Sequence, residues 1–426
     1  MTDIQAVLTA NSNGKNKGIY AICSAHPLVI EAAIEQAKQD RTPVLIEATA
    51  NQVNQFGGYT GMLPKDFLVF IGNIADELNY PRNNIIAGGD HLGPVCWVNE
   101  NAENAMAKAR VLIETYVAAG FKKIHLDTSM SCLDDPTCLP DEIVASRAAD
   151  LCQVAEKTAI ETFGKSDLVF VIGTEVPPPG GATEEITTLE LTSPERVQQT
   201  LTLHQVAFEK LGLAQAWQRV IGLVVQPGVE FDHTSIIDYQ SSKAQALKAY
   251  IETIPNIVYE AHSSDYQNGD AYIALIQDHF AILKVGPQLT YAMREALFAL
   301  SYIEDELITV ENKSYLREVC EQEMLSDPKN WKKFYPVPAC KETLYRRYSY
   351  SDRIRYYWHQ PRIKAAIDRL FDNLTKHPIP LPLISQFLPE QYKAIRTNNL
   401  QVLPKDLVKA KIKQVTQSYA YACWKQ

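Results

Sequence analysis

A carboxylate and an imidazole stand side by side at Asp90-His91, between Gly88-Gly89 and Gly93-Pro94. Together such groups can move a proton and bind a metal ion at one point. Carboxylates and imidazoles recur along the chain at Glu47, His125, Asp127, Glu175, His233 and His262, joined by the ammonium group of Lys284. His91, His233 and His262 are the candidate ligands of a divalent ion, zinc or manganese, with a position left open for substrate. Such an ion would polarise a carbonyl or hold an enediolate. Asp90 and Glu175 are the candidate proton-transfer groups, two carboxylates on opposite sides of a ligand. Glu47, His125, Asp127 and Lys284 rank behind them as pocket residues. Taken alone, Asp90 has a plainer reading as a helix cap and His91 as a core histidine. What weighs against that reading is the recurrence of histidines at equivalent points of separate apolar segments.

Those segments are the elements that must position the chemistry. Eight short apolar runs cover residues 18–24, 43–49, 85–91, 123–129, 168–176, 220–228, 257–263 and 280–287. Stretches with helical spacing separate them, for example 102–119 and 141–163. Eight strands alternating with helices predict a (β/α)8 TIM barrel over residues 1–304, with chemistry at the C-terminal strand ends. A doubly wound sheet is the alternative. No Gly-x-Gly-x-x-Gly follows the first strand, so no nucleotide cofactor is expected. After about residue 305 the alternation gives way to helical patterns, read as a helical C-terminal extension over 305–426, on or beside the barrel.

Two loops stand out. Residues 51–62 are rich in glycine and aromatics, and either fold over the barrel mouth or form a tight connection. They lack the Gly-Lys-Ser/Thr of a phosphate-binding loop. Residues 177–181, Pro-Pro-Pro-Gly-Gly, would stiffen the chain beyond Glu175. The extension interleaves arginine with aromatics, as in Arg353-Ile354-Arg355-Tyr356-Tyr357-Trp358, a pattern of interfaces and helix packing.

The 426 residues are 46% hydrophobic and 21% charged, with a formal net charge of −9. An acidic chain of this kind argues against non-specific binding to nucleic acid or an anionic membrane. No apolar run reaches the roughly 20 residues that span a bilayer. The eight cysteines are scattered without a Cys-x-x-Cys pair, which predicts free thiols and a cytoplasmic setting.

Longer motifs carry a resemblance. Gly18 to Pro27, Ile46-Glu47-Ala48-Thr49, Gln55 to Gly61, Gly88 to Pro94, Gly120 to Asp127, Gly173 to Pro177, Val224 to His233, Glu260 to Ser263 and Leu283 to Pro287 resemble the Z-subunit family of D-tagatose-1,6-bisphosphate aldolase. The N-acetylgalactosamine-pathway type is the nearer, the galactitol-pathway type the next. The resemblance implies a TIM barrel that is a non-catalytic partner of a Y-type catalytic subunit. The partner cleaves the bisphosphate with zinc and needs the Z subunit, in a role described as chaperone-like, for full activity and stability. The family has also carried the name tagatose-6-phosphate kinase. Against the catalytic class II pattern, His262 is followed by Ser263-Ser264-Asp265-Tyr266 instead of a glycine-rich phosphate cradle. Lys284-Val285-Gly286-Pro287 replaces a Lys-x-Asn motif. The metal constellation also resembles that of metal-dependent ketose and hexuronate epimerases, which implies Asp90 and Glu175 as acid and base and a sugar ligand.

Overall fold

The computed structural model describes residues 4–173 and 189–425. Eight parallel strands close into a barrel in chain order. They are β1 (Ile19–Ile22), β2 (Val44–Thr49), β3 (Ile85–Leu92), β4 (Lys123–Leu126), β5 (Val169–Ile172), β6 (Val220–Val225), β7 (Val258–Ala261) and β8 (Ile282–Val285). β8 returns to β1 in parallel register, with Ile19 opposite Ile282 and Ile22 opposite Val285. Helices follow the strands and form the outer layer, among them Pro27–Asp40 after β1, Gly269–Gln277 after β7 and Pro287–Leu307 after β8. The fold is the (β/α)8 barrel that the alternation predicts.

Strand alternation explains where the chemistry lies. Successive side chains of a strand point to opposite faces, so every second residue enters the barrel. Ile19, Ala21, Leu45, Ile86, Val169, Val171 and Ile282 share one apolar cluster inside it. Ile4 and Leu8 of the helix Ile4–Ser12 join that cluster and cover the N-terminal end. Outward neighbours such as Tyr20, Ile22, Ile46 and Phe170 pack instead with the helices. Continuing the inward rows toward the C-terminal ends gives Cys23, Glu47, Asp90, His125, Glu260 and Lys284. The interior therefore changes from apolar to ionisable within one layer of side chains.

Beyond Leu307 the chain is helical and wraps back on the barrel. Its helix Pro404–Trp424 packs against Pro27–Asp40, Gly269–Gln277 and Pro287–Leu307. Gly18, at the start of β1, donates its N–H to the Cys423 carbonyl at 3.2 Å. The arginine–aromatic pattern serves internal packing: Arg346 lies 4.6 Å from the Trp331 ring centre and pairs with Glu321, and Arg353 lies 3.4 Å from that of Phe334. All eight cysteines are free. No helix among the described residues is long and apolar enough to cross a membrane.

Candidate functional site at the barrel mouth

The ionisable layer forms a chain of charge-assisted contacts. Lys123 places Nζ 2.7 Å from both Glu47 Oε1 and Glu260 Oε2, with all three side chains sealed from solvent. Lys284 pairs with Glu47 and lies 2.7 Å from Asp90 Oδ1. Asp90 Oδ1 meets His125 Nδ1 at 3.0 Å, and Glu260 Oε1 meets His262 Nε2 at 2.9 Å. Three carboxylates and two ammonium groups thus alternate, with an imidazole at each end. Breaking one such buried pair costs about 3–5 kcal/mol, because the abandoned charge cannot be resolvated.

His91 stands just above this chain. Its φ of +48° is left-handed, and the register between β3 and β4 shifts between Gly89 and Leu92. That turn brings His91 beside Asp90, so the bend is made at the histidine rather than by glycine freedom. Gly88 and Gly93 serve close approach by the protein's own groups. A Cβ at Gly88 would meet Glu47 Cγ at 2.8 Å, and one at Gly93 would meet the Asp127 carbonyl oxygen at 1.7 Å. Asp127 in turn holds His91, Oδ2 to Nδ1, at 2.7 Å. The ring centres of His91, His125 and His262 lie 5.0–5.3 Å apart.

The field of the site separates the histidines. Burial alone would lower His91, but the Asp90 and Asp127 carboxylates outweigh it and push it up to about 9. Burial lowers His262 to about 4 despite its bond to Glu260. Burial would raise Asp90 and Glu260; the charges of His91 and Lys284 for one, and of Lys123 and Lys284 for the other, hold both well below the usual carboxylate range. Lys284 stays charged, since Asp90 and its other anionic neighbours more than offset its burial. At neutral pH the mouth thus pairs a protonated imidazole with an ionised carboxylate at adjacent positions.

A cavity of about 100 Å³ opens over Asp90, His91, Asp127, His262 and Lys284. Its rim comes from two distant parts of the chain. Tyr59, from the glycine-rich loop, meets Tyr356 edge to face at 5.0 Å, and Arg355 lies beside it. The loop therefore folds over the mouth, where the turn Arg353–Tyr356 of the extension joins it. A second cavity of about 610 Å³ adjoins the first and shares Tyr59, Gln52 and Arg355 with it.

The expected metal set is not assembled as predicted. His233 lies away from the other two, on a short antiparallel ribbon of Glu230–Phe231 with Ile236–Ile237. Its Nδ1 is 3.2 Å from both Ser349 Oγ and Ser351 Oγ, and its ring packs on Tyr335 and Tyr345. The ribbon carries the histidine outward to the extension, a detour that strand counting does not register. In its place β4 supplies His125. Glu175 and the proline run after it lie outside the described residues. Glu47, His125 and Lys284 belong to the buried chain; Lys284 and Asp127 also line the cavity. Sequence reasoning missed Lys123 and Glu260 as site residues. Their signal was the i, i+2 spacing to His125 and His262, which puts each on the same strand face as its histidine.

Two nitrogens test whether this donor set suits a divalent ion. Among the described residues, His125 Nε2 and His262 Nδ1 are buried and have no hydrogen-bond partner. Asp90, His125, Glu260 and His262 each bring one ligand atom within 4.8 Å of the others. The residues fit a nitrogen- and oxygen-ligated ion, which would supply Lewis-acid chemistry at the mouth.

Among the described residues the site has no glycine-rich phosphate cradle. In barrels of this kind phosphate binds at the loops after the seventh and eighth strands and at a helix N-terminus. Here Asp265 fills that place: its Oδ1 accepts the Gly286 N–H at 3.0 Å and the Gln288 N–H at 2.8 Å, at the start of Pro287–Leu307.

Comparison with known proteins agrees with the geometry. The family model for D-tagatose-1,6-bisphosphate aldolase subunit GatZ/KbaZ-like matches residues 4–424. A crystal structure of a probable tagatose 6 phosphate kinase from Sinorhizobium meliloti 1021 is 48% identical, with a TM-score of 0.88. The match covers 96% of this chain and all of that one. The fructuronate-tagaturonate epimerase UxaE from Cohnella laeviribosi, at 13% identity and a TM-score of 0.50, covers 96% of this chain and 82% of its own, a likeness of fold alone.

Proposed function

From the premise that the chain belongs to the GatZ/KbaZ-like family of D-tagatose-1,6-bisphosphate aldolase subunits, we propose that it is the non-catalytic subunit of that class II aldolase. It raises the activity and lifetime of a separate catalytic subunit in a chaperone-like manner. The setting is the cytoplasm, in the breakdown of D-tagatose 6-phosphate derived from galactitol or N-acetylgalactosamine. The observation that carries the reading is Asp265. A catalytic aldolase grips its bisphosphate with free backbone amides, and here a side-chain carboxylate of the protein occupies them. A phosphate brought to the same place would meet like charge and no free donor.

The kinase activity named for the Sinorhizobium protein is a weaker reading. The loop over the mouth has no Gly-Lys-Ser/Thr to hold a nucleotide triphosphate. A second reading has one observation in its favour. The mouth cavity sets Asp90, His91 and Lys284 around a space suited to part of an unphosphorylated sugar. The chain would then epimerise a ketose or hexuronate, with Asp90 and Glu175 as acid and base.

One experiment separates the two. The catalytic subunit is assayed on D-tagatose 1,6-bisphosphate, alone and with this chain, and its thermal inactivation is followed. A several-fold gain in rate and half-life, with no turnover by this chain alone, is the expected result. An indifferent partner, together with ketose epimerisation that Asp90→Asn or Glu175→Gln abolishes, would replace the supporting role with the epimerase.

A further inference from the structure

The second cavity, of about 610 Å³, lies between the start of the helix Pro27–Asp40 and the C-terminal extension. Its size is that of an ordinary small-molecule site. Glu47, Asp90, Asp127 and Glu260 of the ionisable layer do not line it. Leu28, Met62, Phe70, Ile367 and Phe371 give it apolar walls, and His26, Trp358 and His359 bring ring nitrogens to it.

Hydrogen bonds fix where each ring proton sits. The Leu28 N–H donates to His26 Nδ1 at 3.3 Å, so the neutral ring carries its proton on Nε2. The Gln360 amide donates to His359 Nε2 at 3.4 Å, which puts that proton on Nδ1. Trp358 is 2% exposed, and its indole can only donate. Among the described residues, Trp358 Nε1 and His359 Nδ1 are buried with no hydrogen-bond partner, and His26 Nε2 meets no acceptor. The rings of His26 and Trp358 stand edge to face, 6.5 Å between centres.

The charges around these donors favour an anion. Lys364 makes no ion pair and no side-chain hydrogen bond among the described residues. Burial, and then the Lys364 charge, lower His26 to about 3 and lower His359 as well, so both rings stay neutral beside the ammonium group. Of the two carboxylates in the lining, Glu31 is held by Lys405 at 2.9 Å and Asp368 is exposed. The first residues of Pro27–Asp40 add the positive end of a helix dipole. Buried donors without acceptors are costly, and the oxygens of a bound anion would satisfy them.

We propose that this cavity binds a small organic anion with an apolar body, an aliphatic or aromatic carboxylate. Its charged end lies against Lys364 and the N–H groups of Trp358 and His26, and its body against Phe70, Ile367 and Phe371. Tyr59, Gln52 and Arg355 border both cavities, so the occupant sits beside the mouth without entering the layer of carboxylates. The inference rests on neither the supporting-subunit nor the epimerase reading, since binding is measured on this chain alone.

The test uses the full chain and anilinonaphthalene sulfonate, an anion on an apolar body that fluoresces when shielded from water. One saturable equivalent is expected, displaced by octanoate and not by inorganic phosphate. Lys364→Ala and Trp358→Phe should each weaken binding about tenfold, the worth of one hydrogen bond to a charged group. Lys393→Ala, at an exposed lysine elsewhere, leaves it unchanged. The neutral analogue phenylnaphthylamine should bind more weakly, and no differently to the Lys364→Ala protein. Because Trp358 is buried and its variant can fail to fold, crystals of the unsubstituted protein soaked in bromo-octanoate give a second readout. An anomalous bromine peak in this cavity supports the site. No saturable binding, displacement by phosphate alone, unchanged affinity in both folded variants, or bromine only elsewhere overturns it.

Discussion

Asp265 Oδ1 lies 2.8 Å from the backbone nitrogen of Gln288, so the helix Pro287–Leu307 begins on an anion that the protein itself supplies. Burial raises this carboxyl to about 6 even though two amides favour its charged form. Replacing Asp265 with glycine removes the anion and leaves the amides to a ligand. The Asp265→Gly protein is expected to bind inorganic phosphate, seen as a phosphate-dependent rise in Tm that the unsubstituted protein lacks. Equal responses in the two proteins would count against the blocked-cradle argument.

Lys123 stands between Glu47 and Glu260 with no access to water. The Lys123→Met variant is expected to lose about 3–5 kcal/mol in chemical denaturation, because two buried carboxylates lose their partner. Adding Glu47→Gln should cost less than the sum of the single changes, since the groups share one network. Additive losses would show that the pairs act independently.

Gly93 has no room for a methyl group, because the Asp127 carbonyl oxygen occupies its place. Gly93→Ala must push β3 from β4 and draw Asp127 away from His91. A loss of about 1–3 kcal/mol or more is expected from overpacking. The displacement should also appear in the His91 imidazole resonances. An unchanged melting curve would mean that the loop yields freely.

His233 is buried among Tyr335, Tyr345, Ser349 and Ser351, with Asp232 and Arg353 as the nearest charges. Burial lowers its pKa from the usual 6.5. A base depressed on folding takes its proton first in the unfolded chain. Its stabilising contribution is therefore present above pH 6.5 and is lost as pH falls below it. Thermal melts between pH 8 and pH 5 should show a shallower acid decline in His233→Asn than in the unsubstituted protein. Parallel curves would remove His233 as the cause.

The barrel was legible because its signal is periodic. All eight apolar runs contain a strand, although the run at 168–176 yields only Val169–Ile172 among the described residues. Of the site, Asp90, His91, His262 and Lys284 were legible as polar residues at strand ends. Lys123 was overlooked, since a lysine beside another lysine at a strand start reads as a solvated surface unless its i, i+2 spacing to His125 is weighed. Only closure of the barrel turns it inward between two carboxylates. The place of His233 depends on a ribbon of two residues per strand, too short for any pattern. The roles of Arg355 and Tyr356 at the rim come from a fold-back more than three hundred residues after β1.

The helix Pro404–Trp424 covers β1 from far along the chain: Lys17 Nζ donates to the Trp424 carbonyl at 2.8 Å across 407 residues. During synthesis at roughly 5–20 residues per second, β1 would wait on the order of tens of seconds for its cover. Over that interval Tyr20, which finally lies 5.8 Å from Tyr419 ring to ring, has no such neighbour. The strands themselves close by pairing β1 with β8, so what waits for Pro404–Trp424 is the outer cover of β1, not the seam of the barrel.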